Sequence, residues 1–153
     1  MKKLLMSRGM KDGHVHVASG GVAPYAREAG AISLDAKLLM KEEGAEGFLE
    51  GFRSRDLNRH LDMVSGADLI LTMTRSQRDK VLAMPGVKGR QVYTLKEFSG
   101  ESGDIEDPAG KGEEAYLACK EEIRRCLEKA VNLLMGQTSA ESPRDPPVGP
   151  PLR

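Results

Sequence analysis

ADLILTMTRSQRDKVLAM, residues 67 to 84, contains the run of sequence that decides the fold. Its first half is almost continuously apolar instead of alternating with polar residues, which is typical of a β-strand covered on both faces. A helical pattern starts immediately afterwards, at Arg75. We therefore predict a central strand of a parallel sheet over residues 67–74. The apolar residues that carry this prediction are Leu69, Ile70, Leu71 and Met73.

The same alternation of short β-branched runs and helical segments continues on both sides of this strand. It predicts two further strands, HVHVAS (14–19) and QVYTL (91–95). Helices are predicted at residues 2–9, 34–44, 56–66, 75–84 and 112–136. Such an order predicts an α/β domain over residues 1–136, with three layers and a parallel sheet between helices.

Composition places limits on function. The chain has 153 residues, 39% of them hydrophobic and 30% charged, as in an ordinary globular domain. Its 23 basic and 23 acidic residues are mixed along the sequence, so no nucleic acid partner is expected. No run approaches the ~20 apolar residues of a membrane span, and the opening MKKLL turns polar too soon for a secretory signal. We expect a cytoplasmic protein without a membrane partner.

The last residues differ in composition from the rest. Five of the eight prolines lie among the 17 residues of 137–153, which contain few apolar side chains. Such a segment cannot bury enough surface to offset its loss of conformational entropy. We predict a disordered tail over 137–153.

CKEEIRR, residues 119–125, has the cysteine-to-arginine spacing of the phosphate-binding loop in cysteine-dependent phosphatases. A phosphate loop needs converging backbone N–H groups, whereas strong helix formers flank this segment and predict that its N–H groups are used within a helix. The glutamates between Cys119 and Arg125 would also repel a phosphate. Apolar side chains of the helix predicted at 112–136 repeat every three or four residues, which predicts a core-facing stripe of Tyr116, Cys119, Ile123, Leu127, Ala130, Val131 and Leu134. We therefore interpret Cys119 as a core residue and Arg125 as a solvated charge. Cys126 lies two turns away at roughly 10 Å, beyond disulfide reach, which fits a reducing compartment.

GDIEDPAG (103–110), together with ADLILTMTRSQRDKV (67–81), VASGGV (17–22) and FRSRDL (52–57), resembles the low-molecular-weight phosphatase family. The resemblance is to the bacterial protein-arginine phosphatases in particular and extends from about residue 1 to 134. An Asp-Pro pair alone is usually only a turn. Four motifs in the family's order and approximate spacing are more specific.

The resemblance implies a phosphotyrosine phosphatase I-like fold with sheet order 2-1-3-4 and a two-step reaction on a phosphorylated protein. In the family a cysteine thiolate attacks phosphorus, an arginine holds the phosphoryl oxygens, and an aspartic acid protonates the leaving group. Asp107 matches that acid. Ser19 matches a serine that steadies the phosphate loop, and Arg55 matches an arginine of the family's His-Arg-Ser-Arg phrase. The substrate would be phosphoarginine or phosphotyrosine, and TLKEFSGESGDIEDP (94–108) favours arginine.

No metal or other cofactor is expected. His14, His16 and His60 lack a consistent ligand spacing with carboxylates or thiols. His14 and His16 are the polar positions of the strand predicted at 14–19.

This sequence also departs from the family pattern. Family members begin with a strand that enters a Cys-x-Gly-Asn-x-Cys-Arg-Ser loop, whereas residues 1–9 resemble the second half of the helix after that loop. The nucleophilic cysteine and its arginine are therefore not found. Phe52 replaces a histidine that braces the loop, and Ala109 replaces an aromatic residue at the mouth of the substrate site.

The missing strand would lie between 14–19 and 67–74, and its absence would leave a gap of roughly 10 Å. Each unsatisfied buried N–H or C=O group there would cost about 1–3 kcal/mol. We expect such a chain not to fold as a stable relative of the family on its own. Three explanations remain: Met1 is an internal methionine of a longer reading frame, which we favour; 14–19 pairs directly with 67–74; or a second chain supplies a strand.

Two functions follow from these observations. The first is a phosphatase whose chain, as written, keeps the acid Asp107 and is inactive without the nucleophile. The second is a pseudophosphatase that acts as a protein-binding module. The sequence makes no prediction about oligomeric state.

Overall fold

A computed structural model describes residues 1–11, 13–23 and 28–137. The tail predicted at 137–153 lies outside the described residues from position 138 onward. The elements, in chain order, are α1 (Lys2–Ser7), α2 (Leu34–Glu42), a 3₁₀ turn (Glu46–Leu49), α3 (Leu61–Ser65), β1 (Leu69–Thr72), α4 (Arg75–Leu82), β2 (Gln91–Thr94), α5 (Leu95–Phe98) and α6 (Glu113–Gln137).

The two strands form a parallel pair with α4 as the crossover helix between them. Leu69 is paired with Gln91, and Thr72 is paired with Thr94. Thr74 caps α4 through a capping box, because its side chain accepts from the N–H of Gln77. The predicted α/β architecture with a parallel sheet is thus confirmed.

Apolar clusters cover both faces of the sheet. On one face Val64, Val81 and Val87 are buried, and Ile70 and Val92 pack against them. We call this group the valine cluster. On the other face Leu71 packs against a second group, the α6 cluster, whose buried members are Leu95, Ile105, Cys126 and Ala130. Successive residues of β1 therefore point into different cores, as the continuous apolar run predicted.

The long helix α6 supplies much of the second core. Cys119, Ile123 and Leu127 pack against the α6 cluster, which confirms the stripe predicted from their spacing. Cys126 is also fully buried, although the sequence analysis had not placed it on that stripe. Both cysteines are free thiols, as predicted. Among the residues described, no helix has the length and apolar character needed to cross a membrane.

The first helix packs against α6 near its end. Leu5 is buried, and the guanidinium of Arg8 donates to Asn132 Oδ1 at 2.6 Å. Gly9 follows α1 with φ of +86°, a conformation that a glycine adopts without strain. The predicted helix with a terminal glycine is confirmed.

The strand predicted at 14–19 is absent, and so is its direct pairing with 67–74. Residues 14–15 form a bend, residues 16–19 have no regular secondary structure, and Val15 is exposed. Within the described chain, β1 has β2 as its only strand neighbour, so it is not the central strand that we predicted. The physical reason is that an alternating apolar pattern does not form a strand by itself. A strand also needs a neighbouring backbone that bonds to its N–H and C=O groups.

Two other boundaries were wrong. The helix predicted from residue 56 begins at Leu61, because the backbone of Asp56 bridges Gly21 and its carboxylate accepts from Asn58 N at 3.0 Å. The strand predicted through Leu95 ends at Thr94, whose hydroxyl caps α5 by accepting from the N–H of Glu97. In both places a local side-chain bond redirected the backbone.

Leu95 offers a test of this core. It is 1% exposed, so Leu95→Ala should lower the free energy of unfolding by about 2–5 kcal/mol, because a cavity replaces its side chain. Urea unfolding followed by circular dichroism measures this. Leu117→Ala is the matched control, since Leu117 is 45% exposed and its loss should change stability by about 0.5 kcal/mol or less. Equal losses in the two variants would contradict the described packing.

Candidate active site

The loop over residues 103–110 is fixed to the carboxyl end of β1. The N–H of Ile105 donates to Met73 O at 2.9 Å, and the Ile105 side chain is buried in the α6 cluster. One oxygen of Asp104 accepts from the backbone N–H of Arg75 at 3.1 Å and from its Nε at 3.3 Å. The loop is therefore held at the edge of the sheet where parallel α/β proteins bind ligands.

Asp107 lies on the exposed part of this loop. Its Oδ1 accepts from the N–H of Ala109 at 2.9 Å, a turn that spans Pro108. Such a bond from an aspartate to the backbone two residues later fixes the orientation of the carboxylate. Asp107 is thus an ordered, solvent-accessible carboxylate.

A cleft of about 610 Å³ separates this loop from α6. We call it the acid-loop cleft. Asp107 on the loop and Cys119 on α6 both line it. The other residues that line it are Asp104, Glu106, Pro108, Lys111, Ala115, Ala118, Glu121, Glu122 and Arg125.

Cys119 is poorly suited to act as a nucleophile. Its thiol donates to Glu106 O at 3.6 Å and packs against the α6 cluster. Burial, followed by the negative charges of Glu122 and Asp107, raises the pKa of the thiol, and Lys111 offsets this only in part. Because the thiolate is the reactive form, this raised pKa disfavours nucleophilic attack by Cys119 at neutral pH. This agrees with its interpretation as a core residue.

Arg125 is an exposed residue of α6, but it is also ion-paired. Its guanidinium donates to both carboxylate oxygens of Glu101, at 3.1 and 2.8 Å, and Lys129 donates to the same carboxylate at 2.8 Å. Hydrogen bonds from Arg125 and then Lys129 lower the pKa of Glu101 to about 2. The two guanidinium N–H donors that would bind a phosphate in bidentate fashion already donate to Glu101.

The charges of the acid-loop cleft also oppose an anion. Carboxylates outnumber cationic side chains along its lining, and its two cationic residues, Lys111 and Arg125, are paired with Glu106 and Glu101. A phosphate dianion in this cleft would meet net repulsion. CKEEIRR also lies within helix α6, so it lacks the converging backbone N–H groups of a phosphate loop.

Ser19 and Arg55 lie on two chain segments that contact each other. The N–H of Gly21 donates to Arg55 O at 2.8 Å, and the N–H of Leu57 donates to Gly21 O at 3.0 Å. Gly20 permits this approach, because a Cβ at that position would lie 2.5 Å from a methyl group of Leu57. The structure thus brings the segments of Ser19 and Arg55 together.

The side chains of Ser19 and Arg55 are both exposed. The Arg55 guanidinium lies 3.5 Å from the sulfur of Met63. Within the described residues, no recorded contact joins either side chain to Asp107. The candidate site is therefore divided between this pair of segments and the acid-loop cleft.

No cluster of candidate metal ligands occurs within the part of the chain that the structure describes. His60 lies 2.9 Å from Glu28, whose carboxylate also accepts from the N–H of Asp56 at 2.9 Å. The bond from Asp56, followed by the one with His60, lowers the pKa of Glu28. His60 is thus part of a structural contact.

The sequence analysis missed Asp104 and Glu101. Asp104 bonds the acid loop to the start of α4, and Glu101 is ion-paired with Arg125 of α6. A signal was present for Asp104, because an acidic residue often pairs with a helix N-terminus. Its partner, the start of α4, lies 29 residues earlier and is close only in the folded chain. No local pattern distinguishes Glu101 from the other acidic residues around it.

Comparison with known proteins gives consistent matches. The profile of the family described as low molecular weight phosphotyrosine protein phosphatase matches residues 1–142. The chain is 35% identical over 123 residues to a protein-arginine-phosphatase of Geobacillus stearothermophilus, covering 78% of this chain and 77% of the relative. It is also 35% identical over 117 residues to a low molecular weight protein-tyrosine-phosphatase, PtpB, of Staphylococcus epidermidis, covering 76% and 77%.

Structural comparison gives the same result. The solved structure of the YwlE arginine phosphatase from Geobacillus stearothermophilus superposes with a TM-score of 0.68 at 32% identity. The match covers 92% of this chain and 87% of the solved one. The fold of this chain is therefore similar to that of a protein phosphatase.

Thiol labelling tests the state of Cys119. Its alkylation rate should rise with pH through a midpoint above the ordinary thiol value of about 8.5, because burial and negative neighbours disfavour the thiolate. Peptide mapping by mass spectrometry separates Cys119 from Cys126. Asp107→Asn should lower the midpoint, whereas Glu128→Gln, which removes an exposed charge paired with Arg124, should leave it unchanged. A wild-type midpoint below that of a free thiol would contradict this environment.

The Glu101 contact predicts a pH dependence of stability. Because the folded state lowers the pKa of Glu101 to about 2, the contact stabilises the protein above the unfolded pKa of about 4.3. This stabilisation is lost as pH falls from about 5 toward 2. Glu101→Gln should therefore unfold at lower urea concentration than wild type at pH 7, and the difference should disappear near pH 2.

Glu106→Gln is the control for this experiment. Glu106 is 79% exposed and lies 3.6 Å from Lys111, so its substitution should have little effect at either pH. A difference between Glu101→Gln and wild type that did not change with pH would show that the ion pair is not its cause.

Proposed function

The chain belongs to the low molecular weight phosphotyrosine protein phosphatase family. From this we propose that it represents a protein phosphatase that hydrolyses phosphoarginine or phosphotyrosine through a cysteinyl phosphate. We further propose that the 153-residue polypeptide keeps the general acid, Asp107, and is inactive by itself. The observation that carries this proposal is the placement of both cysteines on α6.

Neither cysteine has the environment of a nucleophile. The Cys119 thiol has a raised pKa and donates to the carbonyl of Glu106. Cys126 is 0% exposed, so no phosphate ester can reach it. A covalent phosphatase needs an accessible thiolate with converging N–H groups around the phosphoryl oxygens. Helix α6 provides neither feature.

Asp107 has the accessibility that a general acid needs. In the proposed chemistry a thiolate attacks phosphorus, the bond to the leaving group breaks, and the aspartic acid transfers its proton to that group. Water then attacks the cysteinyl phosphate, the sulfur–phosphorus bond breaks, and the aspartate accepts the water's proton. Asp107 can serve in both steps only where a phosphoryl group is held in line beside it.

Ser19 and Arg55 are proposed to support a phosphate loop. Their segments are tied by the backbone bond between Gly21 and Arg55, and both side chains are accessible. Because the two segments are bonded to each other, we propose that both residues act next to the same phosphate loop. That loop is not among the described elements. The two relatives above are a protein-arginine-phosphatase and a protein-tyrosine-phosphatase at equal identity, so they do not separate the two substrates. We propose phosphoarginine ahead of phosphotyrosine because of the TLKEFSGESGDIEDP phrase.

The second candidate is a pseudophosphatase that binds a partner protein. Two observations favour it: Phe52 occupies the position of a histidine in the family pattern, and Ala109 that of an aromatic residue. Ala109 is exposed and contributes only its backbone N–H to the turn at Asp107. Among the described residues that line the acid-loop cleft, none has an aromatic ring that could stack on a substrate.

Hydrolysis assays test the proposal. Purified 1–153 protein should release no phosphate from para-nitrophenyl phosphate or from a phosphoarginine peptide above the buffer rate, because it lacks an activated thiolate. Asp107→Asn should be indistinguishable from wild type. The Geobacillus protein-arginine-phosphatase, in the same assay, establishes that the substrates are competent. Turnover by the 1–153 protein that Asp107→Asn abolishes would refute the proposal.

A further inference from the structure

Three cationic side chains lie where α4 ends and the chain turns toward β2. Among the described residues, every lysine and arginine from position 75 to 137 forms an ion pair except Lys80, Lys88 and Arg90. All three side chains are exposed, and residues 80–92 contain no acidic residue. We propose that these three residues, which we call the basic corner, bind an acidic segment of a partner polypeptide.

The fold brings the three cations to one end of the sheet. Lys80 lies in the last turn of α4 and Arg90 directly precedes β2, so both lie at the amino end of the parallel strands. Val81 and Val87, the neighbours of Lys80 and Lys88, are both buried in the valine cluster. Because one core holds both neighbours, the cations emerge together at its rim. The acid loop is attached at the other end of the strands, so the basic corner is separate from the candidate active site.

The backbone of the basic corner is fixed by a turn. The N–H of Arg90 donates to Val87 O at 2.9 Å, and Lys88 and Gly89 are the two central residues of the turn that this bond closes. Gly89 has φ of +84°, as the third residue of a type II turn requires. A loop that is already ordered loses little conformational entropy when a ligand binds. Lys88 is thus presented to solvent on a preorganised backbone.

The donors of the basic corner suit carboxylates. A guanidinium has five N–H donors and binds a carboxylate in bidentate fashion, and each lysine has three donors. Arg125 binds both oxygens of Glu101 in this way elsewhere in the chain. The Cα atoms of Lys88 and Arg90 are at most roughly 7 Å apart. Carboxylates at alternate residues of an extended peptide have a similar spacing.

The small size of the basic corner decides between classes of anion. A nucleic acid is bound by a longer basic stripe, whereas the 23 basic and 23 acidic residues of this chain are mixed along its sequence. An anionic membrane surface is bound by clusters of about four to eight cations. A short acidic peptide needs only two or three carboxylates. The three cations therefore fit a peptide best.

Fluorescence anisotropy with a labelled peptide tests the proposal. The probe is a neutral fluorophore followed by Ser-Glu-Ala-Glu-Ala-Glu-Ser-amide, mixed with the full 153-residue chain at low salt. It should bind, and its Kd should rise as salt is added, because exposed ion pairs are screened. Lys88→Gln combined with Arg90→Gln should raise the Kd about tenfold, since each exposed ion pair contributes up to about fivefold. The same peptide with glutamine in place of each glutamate should not bind.

Lys37→Gln combined with Lys41→Gln is the matched control. It removes two exposed positive charges from α2 and should leave the Kd unchanged. Both double variants should unfold at the urea midpoint of the wild type, because the substituted side chains are exposed. An equal rise in Kd in the control would overturn the proposal, and so would binding of the glutamine peptide or no binding of the glutamate peptide. Tighter binding of a single-stranded oligonucleotide of the same charge would overturn it in favour of a nucleic acid.

Discussion

The parallel pairing of β1 with β2 is the constraint on which the rest of the structure depends. Because neighbouring residues of β1 point to opposite faces, Ile70 and Leu71 anchor two separate cores. Backbone bonds in the pair fix the position of both cores relative to each other. The crossover helix α4 then starts where β1 ends, and the 103–110 loop attaches at the same point through Met73 and Ile105.

This arrangement explains how an exposed carboxylate is held in place. Asp107 lies on a loop, but two residues before it Ile105 is buried in the α6 cluster, and Asp104 is bonded to the first residue of α4. The loop therefore has a rigid base and an accessible tip. The same packing that secures the loop places Cys119 beside its backbone, where burial and then negative neighbours raise the pKa of the thiol. One wall of the cleft thus presents an accessible carboxylate, and the other presents a thiol whose raised pKa disfavours nucleophilic attack.

Prediction from the sequence succeeded where one local pattern carried the information. The continuous apolar run at 69–73 and the stripe along α6 each specify burial directly, so the parallel α/β fold and the helical state of CKEEIRR followed from them. Prediction failed where structure depends on a distant partner. Residues 14–19 have the alternation of a strand, but among the described residues no strand pairs with them. Asp56 lies in a segment with a helical pattern, but its backbone bridges Gly21.

The sequence by itself determined the positions of the longer helices, which residues are apolar enough to form the two cores, and which loop resembles the acid loop of a phosphatase. Only the tertiary structure decided the partners of the charged side chains: Arg125 with Glu101, and Asp104 with the start of α4. It also decided that, among the described residues, β1 pairs in parallel with β2. The physical reason is that apolar periodicity is a local property of the chain, whereas ion pairs and strand pairing require groups that are far apart in sequence to meet.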